Sequence, residues 1–356
     1  MAKRRTPWTP IFNPDPRYGA VAVGSTPGTP PGPTLTVVGS VFNSTTLDGA
    51  WYNDVDGNYC YVTCSTPSQR RMTVVDISNP ATPAIVGSVQ DVSRLTVPAG
   101  IVKDGNYCYV TVANNARLVA IDVSTPASPS VVGDVIVAGS AGSAQGIVKD
   151  GNYCYLPWPS TDSVYVVDVS TPATPSTTGT VTDATDLDWA NHVVKIGTNL
   201  FVTALNTDTI STIDVSTPAS PTVTASLTDA TNLNGASWII NDGNTLYVTA
   251  PFSDRLTVVD ASNPASLSVV GSVVVGTPTA SFTYMPMVKI GDYVCVARSD
   301  VDTIYAVDVS TPASPTVVAS VTDSTLLDFP AGMSGAGNFL YVGAAAADRL
   351  TVVELS

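Results

Sequence analysis

Short runs in which apolar and polar residues alternate fill most of the chain, and turn-forming residues separate them. Between residues 100 and 135 the runs are GIVK, YCYVTV, RLVAIDVS and SVVGDV. Alternation with a period of two predicts β-strands. Asp104-Gly105-Asn106 predicts a tight hairpin, because these residues tolerate positive φ, and the prolines of TPASP (125–129) end the third strand. The segment therefore predicts four antiparallel strands.

This four-strand unit recurs at a nearly constant interval. The glycine of its first turn returns every 46 or 48 residues, at Gly57, Gly105, Gly151, Gly197, Gly243, Gly291 and Gly337. Repeats of this length with four strands each are typical of propeller blades. The sequence predicts an all-β fold, a seven-bladed β-propeller with four antiparallel strands per blade.

The two ends of the repeat array complement each other. The last repeat stops at RLTVVELS (349–356), after its third strand, and the missing fourth strand is found at LTVVGSV (35–41). We expect this N-terminal strand to complete the last blade, which removes an exposed sheet edge. The predicted domains are an extended Pro/Gly-rich basic arm (1–34) and the propeller (35–356).

The third strands carry a family resemblance. RMTVVDIS (71–78), RLVAIDVS (117–124) and their counterparts, each followed by a proline corner, resemble the LVIVD repeat family. The resemblance spans residues 35–356 and implies the propeller fold. It implies little about activity, since propellers host many functions.

Charge is distributed unevenly between the predicted domains. Residues 1–34 have a net charge of +3, and residues 35–356 have a net charge of −17. The whole chain contains 28 aspartates but a single glutamate, Glu354. An acidic body repels phosphate, so we expect no nucleic acid to bind the propeller. No apolar run is long enough to span a membrane, and MAKRRTPWTPIFNPDP does not look like a secretory signal. We expect a virion or other assembled particle as the location, and otherwise the cytoplasm.

Residues that carry chemistry are few. The five cysteines lie within strands and are expected to be buried and reduced, not part of a disulfide frame or metal site. His192 is the only histidine, and phosphate-binding and hydrolase motifs are missing. Asp186 and Asp188 are a pair of the kind used by glycosidases, but such pairs are expected by chance among so many aspartates. We predict no catalytic residue, no cofactor and no enzyme activity.

Two charged patterns have alternative interpretations. TDATDLD (182–188), TDATNLN (228–234) and TDSTLLD (322–328) combine Asp with Thr, which suits either Ca²⁺ or ordinary turns. We predict no metal site, but calcium remains the alternative. Lys103, Lys149, Lys195 and Lys289 precede the turn glycines by two residues and either form a partial ring at one face or are simply solvated.

One face of the propeller is predicted to vary from blade to blade. It contains the connections between the second and third strands and those between blades, whereas the opposite face repeats near-identical turns. Variable loops on a rigid scaffold are the usual place for binding. The candidate partner-binding residues are Gln69, Arg70, Arg71, Trp158, Asp162, Asp186, Asp188, Trp189, His192, Phe252, Asp254 and Arg255. In the alternative interpretation the aromatics plug the central channel, and His192 is a channel or core residue.

The arm suggests a role for the whole protein. Its aromatic and basic residues predict docking on a neighbouring subunit, and the alternative is a disordered tail. The candidate docking residues are Arg4, Arg5, Trp8, Phe12 and Tyr18. We predict a non-enzymatic structural or assembly protein, a phage or virus particle component (decoration, fibre or tail-attached) whose partners are other subunits. A soluble or surface-displayed binding propeller, of adhesin or carbohydrate-binding type, is the alternative; its partner would be a surface glycan or receptor. An enzyme with a carboxylate site at the channel mouth is a third hypothesis.

Overall fold

The alternating runs form strands, and hydrogen bonds join these strands into seven four-stranded antiparallel sheets. The computed structural model describes residues 32–66, 70–139, 142, 144–278 and 283–356, and residues 33–356 form one compact unit. Gln69 and the five arm residues lie outside the described residues, so their roles stay predictions. The predicted seven-bladed propeller is confirmed.

The strands fall into four radial positions. The inner strands are β2 (Ala50–Asp56), β6 (Pro98–Asp104), β10 (Val148–Asp150), β14 (Ala190–Ile196), β18 (Ile239–Asp242), β22 (Met287–Ile290) and β26 (Pro330–Ala336). The second strands are β3 (Tyr59–Cys64), β7 (Tyr107–Val112), β11 (Tyr153–Trp158), β15 (Asn199–Ala204), β19 (Thr245–Ala250), β23 (Tyr293–Arg298) and β27 (Phe339–Ala344). The third strands are β4 (Arg71–Asp76), β8 (Arg117–Asp122), β12 (Ser163–Asp168), β16 (Thr209–Asp214), β20 (Arg255–Asp260), β24 (Thr303–Asp308) and β28 (Arg349–Leu355). The outer strands are β5 (Ala84–Gln90), β9 (Ser130–Ile136), β13 (Ser176–Thr182), β17 (Thr222–Thr228), β21 (Ser268–Val274), β25 (Thr316–Thr322) and β1 (Leu35–Phe42). Blade 1 is β2–β5, and the blades follow in chain order to blade 7, which is β26–β28 with β1.

Blade 7 closes the ring as predicted. Strand β1 pairs antiparallel with β28, from Leu35 opposite Leu355 to Phe42 opposite Arg349. Thr34 and Ser356 extend the ladder by exchanging backbone hydrogen bonds of 2.7 and 3.0 Å. The chain termini of the repeat array therefore share one sheet, and the C-terminal strand has no unpaired edge.

Apolar side chains of the second and third strands fill the space between neighbouring sheets. In β3, β7 and β11, for example, every residue after the first is buried. All five cysteines are buried and in the thiol form, and burial raises the pKa of each thiol. They are packing residues, as the sequence predicted.

The recurring lysines link adjacent blades on the face that bears the first turns. Lys149 Nζ lies 2.6 Å from Asp104 Oδ2 of the preceding blade and 2.7 Å from the carbonyl oxygen of Gly151. The same pairing joins Lys103 to Asp56, Lys195 to Asp150 and Lys289 to Asp242. The lysines therefore act as connectors between blades, and neither of the two predicted alternatives describes them.

The aspartate-threonine loops are turns that anchor one blade to the next. In TDATDLD, Asp183 Oδ1 accepts the N–H groups of Thr185 at 2.9 Å and Asp186 at 3.0 Å, while Leu187 is fully buried. These two bonds hold the pKa of Asp183 below its usual value. Asp229, Asp323, Asp91 and Asn43 cap their own loops in the same way. Within the described residues, no group of three or more His, Cys, Asp or Glu side chains is arranged to hold a metal ion.

Candidate functional site

In four of the connections between blades, an aspartate of the preceding blade holds a residue that has the left-handed backbone conformation. The aspartate directly before the third strand accepts the N–H group of the left-handed residue. Asp162 accepts from Trp189 at 3.0 Å, and Asp302 accepts from Phe329 at 3.0 Å. Asp348 and Asp208 hold Gly49 and Gly235 in the same way. The φ angles of the four held residues lie between 56° and 73°. The same hydrogen bond and backbone conformation therefore recur in these four connections, and only the identity of the left-handed residue differs.

Trp189 is an unusual occupant of this position. A bulky residue at φ 61° is sterically strained, whereas Gly49 and Gly235 meet the same requirement without a Cβ. Its side chain is nevertheless 46% exposed, so the strain is not offset by full burial of the ring. Strained residues persist where the surrounding structure imposes them, and they concentrate at functional sites.

Trp189 borders a cavity of about 330 Å³ at the mouth of the channel. The other lining residues are Gln145, Asn191, Leu205, Asn206 and Tyr284. The described lining therefore consists of aromatic, aliphatic and amide side chains, with no charged group. An adjoining cavity of about 250 Å³ shares Gln145 and Tyr284 and extends toward Trp51. The volumes lie at the lower end of those of small-molecule sites.

Asn191 has an unsatisfied polar atom at this cavity. Its side chain is only 1% exposed, and its Nδ2 donates to Ser237 Oγ at 3.2 Å. Among the described residues, nothing donates to its Oδ1. A buried acceptor without a partner costs roughly 1–3 kcal/mol.

Asp188 orients a second amide at the cavity. Its Oδ1 accepts Asn206 Nδ2 at 2.9 Å, which fixes the direction of the exposed Asn206 side chain. The predicted candidates Asp162, Asp188 and Trp189 are thus brought together at the junction of blades 3 and 4. Asp186 lies in the same loop but acts through its backbone, since its carbonyl accepts Ser211 Oγ.

The channel beneath the mouth is closed by rings. Trp51, Tyr284 and Phe329 form an upper cluster with ring centroids 5.3–5.8 Å apart. Deeper in the channel, Trp238 stacks on Tyr52 at 5.3 Å and on His192 at 4.5 Å. These three form the ring layer. Tyr52 Oη donates to Gln145 Oε1 at 2.9 Å, which connects the ring layer to the cavity above.

His192 belongs to this ring layer. Burial lowers the pKa of its imidazole to about 3, so the ring is neutral at pH 7. Its Nδ1 has no partner among the described residues. The alternative interpretation, a channel residue, is the one that describes His192, and the prediction that it contacts a partner on the face is wrong.

Two further candidates are buried and need correction. Trp158 is fully buried at the end of β11, where it packs beneath the loop that contains Gly142. Asp254 is 2% exposed, and one of its oxygens lies 2.8 Å from Nη2 of the buried Arg298. Arg298 also contacts Asp300 and the carbonyls of Val275 and Thr277, so it fixes the loop after blade 5. Neither Trp158 nor Asp254 presents a surface to a partner.

The other candidates lie on the variable face but apart from this cavity. Arg71 and Arg255 each donate to a serine of the neighbouring outer strand, Ser88 at 3.0 Å and Ser272 at 2.9 Å. Arg70 Nη1 donates to the carbonyl of Val92 at 2.7 Å. Phe252 is 40% exposed and packs against Gly235.

Sequence analysis missed the residues that define the cavity. Asn191, Leu205, Asn206 and Gln145 were not candidates, and neither was Tyr52. Asn191 and Tyr52 lie near the start of inner strands, where the repeat is poorly conserved between blades. That local loss of repetition was the available signal.

The family assignment follows from the repeats. The model of the LVIVD repeat matches residues 50–91, 100–137, 141–183, 236–275 and 288–323, more than half of the chain. The chain belongs to the LVIVD repeat family. A comparison with curated proteins finds no match.

Solved structures similar to this LVIVD propeller share the fold and differ in function. Virginiamycin B lyase from Staphylococcus aureus matches with a TM-score of 0.69 at 8% identity, covering 91% of this chain and 100% of that one. Hydrazine synthase from Kuenenia stuttgartiensis matches at 0.61 and 15% identity, covering 93% and 99%. A chain of the mitotic checkpoint complex matches at 0.66 and 12% identity, covering 89% and 93%. At such identities the likeness establishes the fold alone.

The described part of the LVIVD propeller contains no helix that is long and apolar enough to cross a membrane.

Proposed function

We propose that this LVIVD propeller is a non-catalytic binding module for a neutral carbohydrate, held at the channel mouth between blades 3 and 4. The observation that carries the proposal is Trp189, a partly exposed ring in a strained backbone beside an uncharged cavity lined with amides.

The chemistry of the lining matches a sugar ring. The C–H face of a pyranose packs on an aromatic ring through dispersion, and Trp189 offers such a face. Sugar hydroxyls both donate and accept, as do the amides of Asn191, Asn206 and Gln145.

A charged ligand fits this cavity less well. The described lining contributes no cationic side chain to neutralise a phosphate or carboxylate. The nearest carboxylate, Asp188, is already bonded to Asn206. A hydrolytic reaction would need two carboxyl groups facing the sugar, whereas the described lining contains none and the carboxylate of Asp188 is bonded to Asn206.

The test is a glycan array followed by calorimetry with the best ligand. Trp189→Gly removes the ring while keeping a residue suited to this backbone, and we expect about 10-fold weaker binding. Asn191→Ala should weaken binding as well. Phe252→Ala is the control, because it removes another exposed ring of the same face outside the cavity. Absence of any bound glycan, or unchanged affinity of Trp189→Gly, would refute the proposal.

The assembly role predicted from the arm is a separate proposal. Residues 1–31 lie outside the described residues, so support for a particle component rests on the sequence alone. The two roles are compatible, since a particle subunit can also present a sugar-binding face.

A further inference from the structure

A second cavity lies on the other side of the ring layer. It has a volume of about 250 Å³, and its lining includes Asn53, Asp54 and Ser334. These residues follow the ring-layer position along their inner strands, toward the turns at Gly57 and Gly337. The cavity therefore faces the lysine side of the propeller and is separated from the channel mouth by Tyr52, His192 and Trp238.

Asp54 is a half-buried carboxylate without a paired cation among the described residues. Its Oδ1 accepts the N–H of Val55 at 2.9 Å and its Oδ2 that of Lys103 at 2.8 Å. Among the described residues it makes no salt bridge, because Lys103 Nζ is directed to Asp56 at 2.8 Å. Burial raises the pKa of Asp54 to about 6, although the two backbone bonds oppose the shift. Buried charges are normally paired, so this carboxylate lacks a counterpart.

The other polar groups of the cavity are also suited to a positive ligand. The imidazole of His192 lines the cavity and is neutral, so it adds no positive charge to the wall. Ser334 and Asn53 are bonded to each other, which leaves hydroxyl and amide oxygens at the wall. Trp238 and Tyr52 contribute aromatic surface, which attracts cations. None of the described lining residues is cationic.

We propose that this lower channel cavity binds a small organic ammonium ion, with its N–H groups directed at the carboxylate of Asp54. The aliphatic wall of Ile101, Ile147 and Met333 would enclose the carbon substituent. The site stands on residues distinct from those of the sugar-binding proposal, except for Gln145, which lines both cavities.

The probe is ethylammonium, with ethanol as the uncharged analogue and Na⁺ as the inorganic cation. Saturation-transfer NMR titrations on the full chain at pH 7.5 and constant ionic strength should give saturable binding of ethylammonium, with a Kd on the order of 1 mM for so small a ligand. Ethanol and Na⁺ should bind at least 10-fold more weakly. Equal binding of ethanol, or displacement of ethylammonium by equimolar Na⁺, would overturn the proposal.

Two measurements connect binding to Asp54. Asp54→Asn should weaken ethylammonium binding at least 10-fold, whereas Asp242→Asn, with the same charge change at the equivalent exposed turn of blade 5, should leave it unchanged. In the wild-type chain, affinity should fall as the pH drops through about 6, because Asp54 becomes protonated. His192 stays neutral over this range, and the nearby Lys103 and Asp56 are paired with each other. Affinity that does not change between pH 5 and 7.5 would overturn the assignment to Asp54 without any variant.

Discussion

Replacing Asp183 tests whether side-chain caps, and not bound calcium, hold the loops of the variable face. Its Oδ1 accepts the N–H groups of Thr185 and Asp186 at 2.9 and 3.0 Å. The capped turn buries Leu187 and leads directly into Trp189. Asp183→Ala leaves both donors without their acceptor.

The expected loss follows from the two bonds. Truncation of a capping side chain costs roughly 0.5–2 kcal/mol, and water reaches this partly exposed turn, so we expect a decrease of about 1–2 kcal/mol in the free energy of unfolding. Asp183→Asn should cost less than about 0.5 kcal/mol, because the amide oxygen can accept the same two hydrogen bonds. The chain itself contains such a cap. Asn43 caps the loop between blades 7 and 1 with two bonds of 2.9 Å.

The pH dependence of stability separates the contribution of the Asp183 charge from that of the hydrogen bonds that an asparagine could also accept. The backbone N–H groups of Asp186 and Thr185 lower the pKa of Asp183 in the folded chain. A depressed carboxyl pKa stabilises the fold above the unfolded pKa, which is about 3.9, and this contribution is lost as the pH falls through the folded pKa. The difference between wild type and Asp183→Asn should therefore be constant near neutrality and shrink below about pH 4.

Urea denaturation of the three proteins between pH 3 and 7 measures these differences. Asp323→Ala is a matched control: it removes the same cap from TDSTLLD and should cost a similar amount of stability. Only Asp183→Ala should also weaken glycan binding, since only its loop continues into Trp189. The reasoning is refuted if Asp183→Asn loses as much stability as Asp183→Ala, or if calcium restores the stability of the alanine variant.

Three other predictions concern the scaffold and the arm. A double-mutant cycle on Lys149→Ala and Asp104→Ala should give a coupling of about 0.2–1 kcal/mol that falls in high salt, because Asp104 is 59% exposed; a coupling insensitive to salt would contradict this view. The five buried thiols should react with a thiol reagent in urea but not in the native protein, and rapid native labelling would count against their burial. Deleting residues 1–32 should lower the mass measured by light scattering while leaving the melting temperature unchanged, because the compact unit begins at Pro33; an unchanged mass would remove the docking-arm hypothesis.

The fold could be predicted because the repeat is visible in the residues themselves. Turn glycines, proline corners and the displaced strand at 35–41 fix the number of blades and the closure without any knowledge of side-chain contacts. The spacing of the repeat also placed Asp162 and Trp189 in loops of the variable face, where the candidate cavity lies. The hydrogen bond between these two residues did not, because it joins residues 27 positions apart whose separation depends on the blade geometry.

The sequence could not predict which individual loop residues are buried. Trp158 and Trp189 both belong to the variable face, yet Trp158 is fully buried and Trp189 is 46% exposed. The difference arises from neighbouring segments: Gly142 brings its backbone so close that an added Cβ would lie 2.6 Å from Trp158 Nε1. Without the path of that loop, nothing in the local pattern separates the two tryptophans.

One position of the repeat explains how a uniform scaffold acquires a specific channel. Near the start of the inner strands, this position holds Tyr52, His192 and Trp238 in three blades and Gly100, Gly146, Pro286 and Gly332 in the others. An added Cβ would lie 2.4 Å from the carbonyl oxygen of Gln145 at Gly100, 2.6 Å from the Cα of His192 at Gly146 and 2.8 Å from that of Tyr52 at Gly332. The backbone of the following blade therefore leaves no room for a side chain at these three positions, and rings cannot be placed in all seven blades. Three rings then suffice to close the channel and leave a cavity on each side, one lined by amides and one by a carboxylate, so the two sites arise where the sequence departs from its own repeat.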